Sequence, residues 1–247
     1  YDHISEALWL GRHGKYMEEQ LMRKADQVVT SSPALEEIKR PYCRQITTVT
    51  NGVDFPVFAK YQGKLRQHVG LKTIGYTGSL DERFDIGMME AVVRLCPEFE
   101  FRFVGRVSNE SVKLQLSSYD NIKFEPPVSP DEVPAIMRQM NVGIIPYLQN
   151  ELTRFVYPLK INEFLAMGIP VVMTPFARLD EFDGLIYPAA DAETFAKALR
   201  VAVSEGDEAL VQARIAKARS NSWQNQAERF HRHIQDRTIK KEVALGV

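Results

Sequence analysis

Tyr157-Pro-Leu-Lys-Ile-Asn-Glu-Phe-Leu-Ala-Met-Gly-Ile-Pro-Val-Val-Met173 holds a helix start, a buried helix, a tight turn and a buried strand within seventeen residues. Pro158 suits the first helical position, where its missing N–H costs nothing. Gly168 suits the left-handed cap that ends a helix, and Pro170 stops the helix from continuing. Ile161, Phe164 and Leu165 form an apolar stripe at helical spacing, while Lys160 and Glu163 share another face three residues apart. A helix start carrying a lysine is a natural anion site, because unpaired N–H groups and the positive end of the dipole point the same way. Lys160, with the backbone at Pro158 and Leu159, is therefore the candidate phosphate ligand, the alternative being a solvated surface lysine. Glu163, one turn further, is placed to accept hydrogen bonds from hydroxyls, or else simply to pair with Lys160. Phosphate at one end and a diol at the other outline a nucleotide-sugar.

Working outward, the chain from Leu71 alternates strands and helices. The pattern predicts strands at 73–77, 100–104, 122–124, 142–146, 169–174 and 185–187, with helices at 86–95, 109–116, 130–140, 158–167 and 191–205. Short connections between such elements argue an α/β fold: a Rossmann-like, doubly wound parallel sheet covered on both faces. In such sheets ligands bind beyond the carboxyl ends of the strands, so the loops after Tyr76, Val104, Phe124, Ile145 and Thr174 should line the site. Upstream, a helix from about Trp9 to Lys24, a strand at 25–31, a helix at 34–40 capped by Ser32-Pro33 and a strand at 45–50 lead to the turn signal Asn51-Gly52. The poorly periodic stretch 54–70 reads as a hinge between two lobes. Two more helices are expected at 207–218 and 223–235, the second amphipathic through Trp223, Ala227, Phe230 and Ile234. Tyr1-Asp-His-Ile-Ser-Glu6 reads as the end of a strand, so a preceding segment is expected. The implied division is 1–52 as a partial first lobe, 53–220 as the ligand-binding lobe and 221–247 as a crossover helix and tail.

Composition narrows the function classes. Of 247 residues, 45% are hydrophobic and 26% charged, and the formal net charge of −1 gives no electrostatic case for nucleic acid. No apolar run reaches the roughly 18 residues that cross a bilayer, and no signal-peptide pattern opens the chain, so a soluble, cytoplasmic protein is expected. Only the tail around Arg232 to Lys241 approaches a basic cluster. Cys43 and Cys96 are too few and too isolated for a disulfide framework or a zinc site, and no metal is expected. Gly-x-Ser-x-Gly, Walker, His-Glu-x-x-His and early Gly-x-Gly-x-x-Gly signatures are all missing, which lowers hydrolase, P-loop and dinucleotide-oxidoreductase readings.

Other candidates lie at predicted strand ends. Gly78-Ser79 would let backbone approach a ligand closely. Arg83 is a candidate bidentate donor to a diphosphate, or a solvated loop charge. Gly105-Arg106 repeats the arrangement after the next strand. Pro126-Pro127-Val128 and Tyr147 could receive a nucleobase, with lobe packing the alternative for Tyr147. Arg154, just before the helix, is a further candidate to meet donor phosphates or acceptor. His3 and His13 fall in the first lobe and carry only a weak case for catalysis.

Taken together, the residues resemble the carboxyl-terminal half of a GT-B glycosyltransferase, in the retaining group that includes glycogen-synthase-like and mannosyl-transferring enzymes. Ala25-Asp-Gln-Val-Val-Thr-Ser-Ser32, Thr50-Asn-Gly-Val-Asp54, Ile74-Gly-Tyr-Thr-Gly78, Phe103-Val-Gly105, Asn141-Val-Gly-Ile-Ile-Pro146 and Pro158-Leu-Lys-Ile-Asn-Glu-Phe-Leu-Ala-Met-Gly-Ile-Pro-Val171 follow that family's order and spacing. The resemblance implies two Rossmann-like lobes, the second holding a nucleoside-diphosphate sugar and the first, mostly missing here, the acceptor. It gives Glu163 the place of the second glutamate in the family's Glu-x7-Glu motif, which holds the donor ribose. The first glutamate would fall at Phe155 and is absent, so the chain looks like the variant with Pro-x-Lys-x-x-Glu. Ser79 stands where the family usually has arginine, leaving Arg83 and Lys160 as substitutes at the diphosphate. The implied activity is metal-independent transfer of a sugar, with retention, to a glycan, lipid-linked or small-molecule hydroxyl, with peripheral membrane association through the missing lobe also open. A nucleotide-sugar epimerase of the same fold, using Asp81, Glu82 or Glu151, and a non-catalytic donor-binding lobe are the alternatives.

Overall fold

The computed structural model describes residues 13–63 and 71–245, with backbone only beyond 235. Tyr1 to Glu6, His3, Trp9, the second half of the expected hinge and most side chains of the basic tail lie outside the described residues. The first part comprises α1 (Gly14–Lys24), β1 (Val28–Thr30), α2 (Pro33–Lys39) and β2 (Ile46–Thr48). β1 and β2 pair in parallel as a two-stranded sheet. The Ser32 side chain caps α2 by accepting from the Leu35 N–H, with Pro33 at its first turn, as local spacing predicts.

Next come α3 (Phe55–Ala59), β3 (Lys72–Thr77), α4 (Ile86–Leu95), β4 (Phe99–Val104), α5 (Glu110–Leu116), β5 (Ile122–Glu125) and α6 (Val133–Met137). They are followed by β6 (Val142–Ile145), α7 (Leu159–Ala166), β7 (Val171–Met173), β8 (Tyr187–Pro188), α8 (Ala192–Ser204), α9 (Glu208–Ser220) and α10 (Trp223–Leu245). The six strands β3 to β8 form one parallel sheet in the order β5-β4-β3-β6-β7-β8. Helices cover both faces, so β6 and β7 are buried at every position. The expected doubly wound α/β sheet is therefore present. Its strand order reverses between β3 and β6, and a crevice opens there at the carboxyl ends.

Several boundaries differ from the expectation. The region 54–70 begins with a helix: Pro56 starts α3, and Phe55 and Phe58 are buried in the main core. Gln62 then donates to the Ala166 carbonyl at 2.6 Å, so this stretch is fastened to the end of α7. α6 is five residues long, not the expected eleven, because Ser129 and Glu132 form a side-chain-stabilised turn ahead of it. Ile169 and Pro170 belong to the turn and β7 starts at Val171, while the edge strand sits at Tyr187–Pro188. α10 returns along the first part: the Trp223 N–H donates to Val53 O at 3.0 Å and Gln226 reaches Thr50 Oγ1 at 3.3 Å. Among the described residues no helix is long and apolar enough to cross a membrane.

Candidate functional site

The reversal point is built by the ends of β3 and β6. After β3 the chain turns at Gly78-Ser79, and the fully buried Tyr76 closes that turn by donating its hydroxyl to Ser79 O at 2.7 Å. Glycine is required twice here. Gly78 has φ +117° and Gly105 φ +151°, and a Cβ on Gly105 would sit 2.1 Å from Gly78 O. The loop following Gly78 then runs beside the end of β6, with Leu148 N–H bonded to Arg83 O at 2.7 Å and Asp85 N–H to Pro146 O at 2.8 Å. That path carries the Arg83 guanidinium over the Tyr147 ring, 5.2 Å from its centroid.

α7 starts at the mouth of the same crevice. Pro158 is its extended N-cap residue, one position earlier than expected, and no side chain caps the helix. The Lys160 side chain reaches back to the end of β3: its Nζ donates to Tyr147 Oη at 3.0 Å and lies 4.9 Å from the Tyr76 ring centroid. A Cβ on Gly78 would meet the Lys160 Cε and Nζ at 2.7 and 2.8 Å, so the bare glycine makes room for the ammonium. Glu163, one turn on, is half-buried and has no hydrogen-bond partner among the described residues. Burial pushes its carboxyl above the usual range, and the Lys160 charge opposes that shift.

Two cavities flank these groups. One, of about 160 Å³, runs from Gly78, Ser79 and Gly105 to Pro127, Val128 and Ile136. Its far end is apolar, and Arg106 stands exposed at its rim. The other, of about 720 Å³, lies between α2 and the loop after β7, bordered by Pro33, Ala34, Arg154, Phe176, Arg178 and Glu181.

The structure thus gathers Gly78, Ser79, Arg83, Tyr147, Pro158, Leu159, Lys160 and Glu163 around the carboxyl ends of β3 and β6 and the start of α7, with Gly78, Ser79 and Arg106 lining the smaller cavity. Two of them, Arg83 and Tyr147, have surroundings other than those expected. Arg83 is no free donor: it forms a two-pronged pair with Asp81, Nε to Oδ1 at 2.9 Å and Nη2 to Oδ2 at 2.6 Å. Burial opposes ionisation of Asp81, but this pairing outweighs it and holds the carboxyl below its usual value. Tyr147 is 1% exposed, with its ring against Phe176 at 5.0 Å between centroids. It offers no open face to a nucleobase. Leu159 turns its side chain outward at 43% exposure, leaving its backbone toward the helix mouth. Arg154 is paired with Glu151 at the edge of the larger cavity, and His13 stands apart at the start of α1.

Sequence reading missed a polar junction behind α7. The Tyr157 hydroxyl donates to Glu181 Oε1 at 2.7 Å and accepts from Asn221 Nδ2 at 3.2 Å, and Asn221 also donates to Asn162 Oδ1 at 3.1 Å. Asn162 in turn donates to Asn51 O at 3.2 Å, and Asn51 to Tyr157 O at 2.9 Å. The one signal available was an asparagine inside the apolar run of α7, a residue rarely buried without partners.

Comparison with known proteins now places the chain in a class. Residues 71–205 match the family model described as Glycosyl transferases group 1, which is more than half of the chain, and the protein belongs to that family. The expected GT-B, Rossmann-like lobe is confirmed with it. Among curated proteins, the chain is 28% identical over 225 residues to TuaH of Bacillus subtilis (strain 168), named for a glycosyltransferase role in teichuronic acid biosynthesis. That match covers 85% of this chain and 56% of TuaH, so the chain spans little more than half the length of its relative. Among solved structures, HepE of Anabaena, in complex with UDP and glucose, superposes with a TM-score of 0.73 at 14% identity, covering 95% of this chain and 70% of HepE. The UDP-forming α,α-trehalose-phosphate synthase of Burkholderia xenovorans, in complex with glucose-6-phosphate, gives 0.70 at 17% identity, covering 93% and 65%. At these identities the two structures bear on fold alone.

Proposed function

We propose that this chain is the donor-binding part of a hexosyltransferase that moves a sugar from a nucleoside diphosphate to a hydroxyl of a glycan, lipid-linked or small-molecule acceptor. One observation carries the reading: the Lys160 ammonium lies against Gly78 beside an uncapped helix start, with Glu163, a carboxylate that has no hydrogen-bond partner among the described residues, one turn along the same helix. In this reading the diphosphate sits over Gly78 and the first turn of α7, the ribose hydroxyls donate to Glu163, and the base enters the apolar end of the smaller cavity. Lys160 and the free N–H groups stabilise charge as the diphosphate departs, which takes the place of a metal. The sugar and acceptor meet in the larger cavity. The reaction proceeds with retention, the leaving phosphate taking the acceptor proton.

The name of TuaH supports a role in assembling a cell-surface polysaccharide, and the UDP in HepE supports a nucleoside diphosphate as donor group. An epimerase would need a free carboxylic acid near the sugar, but Asp81 is locked to Arg83, Glu151 is paired with Arg154, and Glu82 is exposed on the loop after Asp81. Calorimetric titration with UDP, GDP and their sugars tests the proposal. Lys160→Ala and Glu163→Ala are each expected to weaken binding by about tenfold or more, the value of a hydrogen bond to a charged group. Unchanged affinity in both would sink it. Release of free nucleotide on adding acceptor distinguishes transfer from binding alone.

A further inference from the structure

We propose that Tyr147 is a positioning residue for the donor: its hydroxyl holds the Lys160 ammonium toward a diphosphate above Gly78, while its ring face backs the Arg83–Asp81 pair beside it. This deepens the donor reading and rests on it. A lysine ammonium on four rotatable bonds loses side-chain entropy when an anion fixes it. Here that freedom is already spent. Lys160 Nζ is held at 3.0 Å by Tyr147 Oη, with the Tyr76 and Tyr147 centroids 4.9 and 5.6 Å away, and Arg83 lies 5.2 Å from the Tyr147 centroid. One ring therefore touches both cations.

The ring itself is fixed from several sides. Thr174 Oγ1 donates to the Tyr147 carbonyl at 2.5 Å, Phe84 forms an antiparallel bridge with Tyr147, and Phe176 packs against its side chain. Its hydroxyl is the polar end of a buried residue, accepting from Lys160 and sharing a hydrogen bond with the Tyr76 hydroxyl. Facing this point are the charges of Lys160, Arg83 and Asp81, with the Glu163 carboxyl one turn along α7 also acting on Lys160, so the summed charge is +1 with Glu163 protonated and zero with it ionised, beside a helix start that adds its own positive end. Two like charges over one ring repel, and the π faces and Asp81 offset only part of that. A diphosphate removes the remainder, so the cluster is preorganised for a multiply charged anion.

Tyr147→Phe separates this role from packing, because the ring, its contact with Phe176 and its place beneath Arg83 are kept while the hydroxyl is lost. Urea unfolding should confirm that the variant folds. Titration with UDP and GDP should then show affinity about tenfold weaker than in the unsubstituted chain, while uridine and guanosine bind unchanged. The double variant Tyr147→Phe/Lys160→Ala should bind the nucleotides as weakly as Lys160→Ala alone, since the hydroxyl acts through the lysine. A loss in Lys160→Ala with none in Tyr147→Phe overturns the positioning role and leaves the donor reading standing. So does a Tyr147→Phe loss that adds in full to that of Lys160→Ala, or one shared equally by the nucleosides. If Lys160→Ala alone binds UDP and GDP as before, this inference fails; if Glu163→Ala does so as well, the donor reading fails with it.

Discussion

Glu163 is kept at a cost to the unliganded protein. Its carboxyl is raised by burial, with Lys160 working against the shift, so the folded chain holds that proton more tightly than the unfolded chain does. The stability linked to this group is fully present below the ordinary carboxylate value of about 4.3 and is lost as pH rises through the raised folded value. Glu163→Gln should therefore be more stable than the parent at pH 7 in urea unfolding, with the difference shrinking as pH falls toward 4. The same variant should bind nucleoside diphosphates more weakly, because a ribose diol loses a charged acceptor. A gain in stability with a loss of binding is what a ligand-facing carboxylate produces, and a purely structural one would lose stability instead.

At the scale of elements, caps and periodicities decide most of the helices. Ser32 before Pro33, Asp191 with Thr194 and Asp207 all start helices where their side chains accept from the first turn. The sheet strands follow equally from runs of β-branched and aromatic residues between turn signals. Docking of α9 was not visible this way. Arg214 reads as an ordinary polar position on a helix, yet it is fully buried, donating to Leu185 O at 2.8 Å and to Glu205 Oε2 at 2.8 Å. It ties α9 to the end of α8 and to the chain entering β8. Arg214→Ala leaves the Glu205 carboxylate, in a buried place, without its charged partner and with the Tyr187 hydroxyl still donating to it, and should cost about 3 kcal/mol in urea unfolding. Arg214→Lys should recover little of this, since one ammonium does not reproduce a planar fork.

For the molecule as a whole, the polar junction behind α7 joins parts of the chain that no local pattern connects. Asn51 comes from the end of the first part, Tyr157 and Asn162 from the approach to α7 and the helix itself, Glu181 from the loop after β7, and Asn221 and Lys217 from the end of α9. Burial works against ionisation of Glu181, but the hydrogen bonds from Lys217, Tyr157 and Asn221 outweigh it and keep its carboxyl low. Its contribution to stability is therefore present above the ordinary carboxylate range and is lost as acid protonates it. Tyr157→Phe removes the hydroxyl on which three of these groups converge and should cost about 1 to 3 kcal/mol, read as a lower urea midpoint at pH 7. Because Tyr157 directly precedes Pro158, nucleotide affinity measured in the same variant reports whether the junction also sets the position of the α7 start.

What the chain's own order of residues determined is the alternating architecture, the strand ends that carry glycine, and the helix that presents Lys160 and Glu163. Those features come from interactions within a few residues: caps, turn chemistry, and apolar spacing of 2 or 3.6. Tertiary structure decided which groups each candidate meets. That Asp81 engages Arg83, that Tyr147 is buried beneath two cations, and that Asn162 finds Asn221 and Asn51 depends on which strand ends lie side by side at the reversal point and which helix crosses behind. Such meetings are settled by packing between distant segments, and spacing along the chain carries no record of them.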